Sequence, residues 1–168
     1  MLRRLRWVGM FLGAAATTPL TLGLTLFVFS VVDSRLYRAF IAEGAGTTAR
    51  EQALFDGLSG ASHLAAVLLA PFLSGLLVGR VIAAYPGTNA AVGAAVAAVG
   101  VFAWFVGPLV PWIWEPISNP GEAYTRSDNV NNLIVVSVVL CGILPLIVLA
   151  GFLGGRLGGR LRASRAAS

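Results

Sequence analysis

Few side chains in this sequence could do chemistry. Its 168 residues hold one histidine, His63, one cysteine, Cys141, and seven carboxylates. A clustered metal centre needs three or four such ligands close together. His63 has no second ligand three or four residues on, and Cys141 lies alone in an apolar run. His63 therefore reads as a hydrogen-bonded histidine at an interface, and Cys141 as a buried structural thiol. Asp33 is expected to pair locally, with Arg35 or Tyr37. The sequence has no Gly-x-Ser-x-Gly, no His-Glu-x-x-His and no phosphate loop. Neither catalytic residues, nor a metal, nor a cofactor is expected, and the chain does not read as an enzyme.

The other chemistry is basic. All twelve basic residues are arginine, and the net charge is +5. In a soluble protein such a charge would point to nucleic acid, but here the arginines flank apolar stretches, which points to a membrane surface instead. Arg80, Arg156, Arg160, Arg162 and Arg165 are candidate contacts for anionic lipid, at roughly 1 kcal/mol per charge near the surface. Their plainer role is to anchor helix ends by snorkelling and to complement helix C-termini.

The elements that position these groups follow from hydropathy. Hydrophobic residues make up 57% of the chain and charged residues only 11%, against roughly 25% charged in a soluble domain. A soluble fold of this size would leave large apolar patches in water. A helix needs about 20 mostly apolar residues to cross a bilayer, and four stretches qualify, residues 7–32, 61–84, 89–114 and 130–154. They are too long and too uniformly apolar for barrel strands. The expected fold class is all-α, a single membrane domain of four transmembrane helices arranged as two hairpins. Arg3, Arg4 and Arg6 with Ala14–Ala16 imitate a signal peptide. The apolar run continues to Val32, so an uncleaved first span is expected.

Charge orients the hairpins. With both termini in the cytoplasm, eight arginines fall inside and four outside, and all seven acids fall outside. The location expected is the cell (inner or cytoplasmic) membrane. In the first outer loop, Thr48-Ala49-Arg50-Glu51 has capping-box spacing. A short amphipathic helix over about 49–58 is expected to follow, or else an extension of the second span. Gly44-Ala45-Gly46 reads as a flexible connector. Pro108, Pro111, Trp112, Trp114 and Pro116 open the second outer loop, the tryptophans suiting the headgroup layer. Asn119-Pro120-Gly121 reads as a turn, and Asp128 or Asn129 as the cap of the fourth helix.

Two features concern packing. Ser74–Arg80 and Ala150–Arg156 match at Gly, Leu, Gly and Arg with an offset of 76, as two copies of one hairpin would. Copies of that kind would be related by an axis along the membrane normal. Gly75, Gly79, Gly151, Gly155 and Gly159 have the four-residue spacing that lets helix backbones touch. Gly154 with Gly158 and Gly9 with Gly13 repeat that spacing. Pro19, Pro71 and Pro145 punctuate the spans and can kink them. The function expected is a small integral membrane protein of structural or interaction type, packed through its glycine faces and serving as an accessory subunit. The alternative is a small transporter or channel acting as an oligomer. The partners expected are the lipid bilayer and either further copies or a larger membrane complex.

Overall fold

The computed structural model describes residues 2–41, 48–107 and 120–166. Every regular element in them is helical, and four helices are long and apolar enough to cross a membrane. The protein is an all-α multi-pass membrane protein. Helix α1 runs Leu2–Phe27, passes through a π-helical turn at Val28–Asp33, and continues as α2, Ser34–Phe40. Helix α3 covers Ala49–Val81, α4 covers Pro86–Val106 and α5 covers Pro120–Ala166.

The helices overrun the apolar stretches, because backbone hydrogen bonding does not stop where hydropathy does. Residues 49–58 are the first turns of α3, not a separate interfacial helix. Thr48 forms the capping box, its hydroxyl accepting from the Glu51 amide at 3.3 Å while Glu51 Oε2 accepts from the Thr48 amide at 2.9 Å. Asp128 does not cap α5. That helix begins at Pro120, eight residues earlier, where proline's missing N–H costs nothing. With 47 residues α5 is about 70 Å long, over twice the hydrocarbon thickness. The Gly44–Gly46 connector, the Pro108–Pro116 segment with its tryptophans, Asn119 and the Asn129 side chain lie outside the described residues.

Small residues set the packing. On α3 the buried positions are Ala66, Ala70, Pro71, Ser74, Gly75, Val78 and Gly79, a stripe at helical spacing. A Cβ on Gly75 would meet the Gly151 carbonyl and lie 2.9 Å from the Gly155 nitrogen. One on Gly79 would meet the Gly155 carbonyl and lie 2.8 Å from the Gly159 nitrogen. Gly154 and Gly158 in turn face the carbonyls of Phe72 and Leu76. The third span uses the same device. Gly13 and Gly93 bring α1 and α4 together, and Gly9 leaves room for the Asn89 side chain. Asn89 itself is buried and donates to the Ala84 carbonyl at 2.9 Å, holding the α3–α4 turn.

Corresponding helices of the two hairpins thus lie side by side and parallel, α1 with α4 and α3 with α5. The order around the bundle is α1, α3, α5, α4. Rotation about an axis along the normal would put α1 diagonal to α4 and α3 diagonal to α5. It would also make the α3–α4 and α1–α5 relations equivalent, yet α3 touches α4 while α1 and α5 barely meet. The two hairpins run parallel, as copies of one hairpin would, and lie side by side rather than as diagonal pairs. Close glycine contact favours pairing like with like.

One polar contact crosses the glycine-packed half. The Thr17 and Ser74 hydroxyls are 2.6 Å apart and buried, with Thr17 also donating to the Gly13 carbonyl at 2.7 Å. Ser74 is 3.1 Å from the Pro71 carbonyl. Ser74→Ala removes the interhelical bond without creating a large void. The expected loss is about 1 kcal/mol, readable as a lower unfolding midpoint in mixed detergent micelles.

Candidate functional site

Three places in the bundle bring together groups that could act on something else. The first is a chamber of about 480 Å³ between α1, α3, α4 and α5. Thr17, Pro71, Ala94 and Ile147 line it at the glycine-packed side, and Val101, Phe102 and Leu133 line it toward the far end. Among the described residues its only lining side-chain hydroxyls are those of Thr17 and Thr21, and Thr21 donates to the Thr17 carbonyl at 2.8 Å. Water needs two to four polar partners to occupy a cavity, so this chamber suits hydrocarbon. The glycine seam closes one half of the bundle, and the chamber hollows the other.

The second place is a polar cluster at the far end of α1. Asp33 closes the π-helical turn, and the extra residue in that turn rotates it toward α3. Asp33 Oδ1 accepts from the Ser59 hydroxyl at 2.8 Å, and Oδ2 lies 3.6 Å from His63 Nε2. Asp33 therefore pairs across helices, not with Arg35 or Tyr37. His63 Nδ1 is 3.0 Å from the Ser59 carbonyl. The residue types are those of a hydrolytic triad, but the geometry is not. The Ser59 hydroxyl donates to the carboxylate and faces no imidazole nitrogen, so nothing activates it as a nucleophile. The cluster ties α1 to α3, and edge-on contact of the Tyr37 and Phe55 rings, centroids 6.1 Å apart, extends the tie. Among the described residues no group of three or more His, Cys, Asp or Glu side chains is placed to hold a metal.

The third place is a cleft of about 500 Å³ at the end of the bundle where α3 turns into α4 and α5 emerges. Three of the five candidate arginines, Arg156, Arg160 and Arg162, line it with Pro86, Gly87 and Thr88 from the start of α4. Gly155 makes the approach close, since a Cβ there would meet the Pro86 carbonyl and lie 2.9 Å from Gly87 Cα. Arg156 lies over the Phe152 ring, 5.3 Å from its centroid. Tyr85, just before α4, adopts a left-handed backbone with φ 50°, which folds the chain back sharply after Ile82. Arg80 is exposed at the end of α3, and neither it nor Arg165 lines the cleft.

The five singled-out glycines thus meet one another within the chain, while the five arginines divide. Cys141 is exposed on the bundle surface, not buried, because α5 turns that face away from the other helices. Sequence reasoning missed the Asp33–Ser59–His63 cluster. The available signal was Ser59 and His63 four apart on one helix face. No family model, curated protein or solved structure matches this chain.

Proposed function

We propose that this is a small integral membrane protein of structural or interaction type, acting as an accessory subunit of a membrane complex and not as an enzyme. The observation that carries the reading is how the polar groups inside the bundle are used. Thr17, Ser74 and Asn89, the buried polar side chains among the described residues, all bond within the chain. Among the described residues, a bundle that satisfies itself in this way presents no buried reacting group to a substrate. Its glycine ridges are also spent internally, so a partner would meet the broad apolar faces. Trp7 and Phe11 are exposed on α1, Phe29 on the turn that follows it, and Val135 and Val138 on α5. The charge distribution supports a cell-membrane location with both termini cytoplasmic, eight arginines inside against four outside. Reporter fusions at either terminus test the orientation, and an external reporter signal would overturn it. Mild solubilisation followed by native mass measurement tests the subunit role. A stoichiometric complex with a larger protein is expected, and a lone chain in every mild detergent would sink the idea.

The chamber favours a second reading, a small transporter or channel subunit. Cysteine scanning on a Cys141→Ser background separates the two. The structural reading expects aqueous labelling only at the helix ends. A continuous labelled track through α3 and α5 would instead mean a transport path.

A further inference from the structure

We infer that the cleft between the start of α4 and the emerging α5 is a phosphate-binding seat, and that its occupant is the phosphate of an anionic phospholipid. The argument begins with unbalanced charge. Arg156, Arg160 and Arg162 line one cavity, and no carboxylate lines it among the described residues. None of the three makes an ion pair with a carboxylate among the described residues. Like charges around one cleft repel one another, so three arginines lining it favour an anion there. Arginine suits phosphate in particular, because its planar fork matches two phosphate oxygens at once.

The start of α4 adds to the same field. Its first turn carries no acid, and Tyr85 gives it no side-chain cap. The first backbone bond of the helix is from the Asn89 amide to the Tyr85 carbonyl, 3.0 Å, which leaves the amides of Gly87 and Thr88 ahead of it without helical acceptors. Such amides and the helix dipole favour the same negative group. Gly87 is needed here for room, since a Cβ would lie 2.9 Å from Arg156 Cγ and 3.0 Å from the Phe152 ring. The stem of Arg156 can therefore lie across the helix start, with Phe152 beneath it.

Depth selects the source of the phosphate. The cleft sits where the apolar part of α5 gives way to arginines, which is headgroup level for a spanning helix. Leu146, Leu149 and Leu153 are exposed on the apolar stretch of α5 that precedes Arg156 and offer hydrocarbon contact on its membrane side. A lipid could seat its phosphate among the arginines and lay its chains on these leucines. A free phosphate would use the first part alone. This inference does not depend on whether a partner protein binds.

Native mass spectrometry of the full chain in detergent tests it, with phosphatidylglycerol, phosphatidylcholine and inorganic phosphate as probes. The wild type is expected to retain one phosphatidylglycerol in preference to phosphatidylcholine. Arg156→Gln with Arg160→Gln should weaken that retention on the order of tenfold or more, while Arg80→Gln, outside the cleft, should leave it unchanged. Unchanged retention in the double variant, or an equal loss in Arg80→Gln, would overturn the seat. Displacement of the lipid by millimolar inorganic phosphate, with no preference between the two lipids, would keep the cleft but hand it to a free phosphate. Should the double variant fold poorly, Arg162→Gln and the salt dependence of wild-type retention give the same reading. Retention that ignores ionic strength would count against the seat.

Discussion

Gly79→Leu is expected to take the bundle apart. A Cβ at Gly79 would land on the backbone of α5, at the Gly155 carbonyl and 2.8 Å from the Gly159 nitrogen. Backbone atoms cannot swing aside as a long side chain can. The two helices would have to separate along the whole seam, losing the contacts of Gly75, Gly154 and Gly158 as well. Overpacking in cores costs about 1–3 kcal/mol. Here the loss should reach or exceed the top of that range, because helices in lipid have no hydrophobic drive to offset it. Thermal unfolding in detergent, followed by circular dichroism, reads the effect. The control is Gly100→Ala, where an added Cβ meets nothing within 4 Å. That change should be neutral or add up to about 1 kcal/mol through helix propensity. Equal midpoints for the two variants would refute the seam.

The second large effect is local. Gly93→Leu would push a side chain into α1, where a Cβ alone comes within 2.8 Å of Gly13 Cα and the Met10 carbonyl. The expected result is release of α1 while the α3–α5 seam survives, at a cost of about 2–3 kcal/mol. A disulfide trap reports this directly. Cysteines replacing Thr17 and Ser74, whose hydroxyls are 2.6 Å apart, should cross-link readily on a Cys141→Ser background. Adding Gly93→Leu should cut the yield severalfold, and an unchanged yield would mean α1 is held by something other than Gly13 and Gly93. The two variants together separate global from local use of the same residue type.

These glycines also mark how far the sequence could be read. Spacing revealed Gly75, Gly79, Gly151, Gly155 and Gly159 as a packing surface, because only glycine lets backbones touch. It did not reveal that the surfaces close on each other, since chain-to-chain and within-chain contacts look alike in one sequence. The four spans were legible because apolar length is a one-dimensional property. The start of α3 was legible too, because the Thr48 capping box marks it, but the start of α5 was not, for that helix extends through polar residues that no hydropathy window favours. Asp33 shows a different limit. Its partners Ser59 and His63 became reachable through the π-helical turn, and nothing in Val28–Asp33 announces an inserted residue. The cleft lay between these cases. The arginines were visible, but choosing Arg156, Arg160 and Arg162 over Arg80 and Arg165 required knowing which helix start they face.

The division of the bundle into a glycine-tight half and a hollow half makes its mechanical response uneven. Close-packed interiors resist compression, whereas unfilled volume yields first. A squeeze from the surrounding bilayer, or a change in its thickness, would alter the chamber of about 480 Å³ before it moved the seam. The expected response is a fold stiffer along the glycine seam than around the chamber.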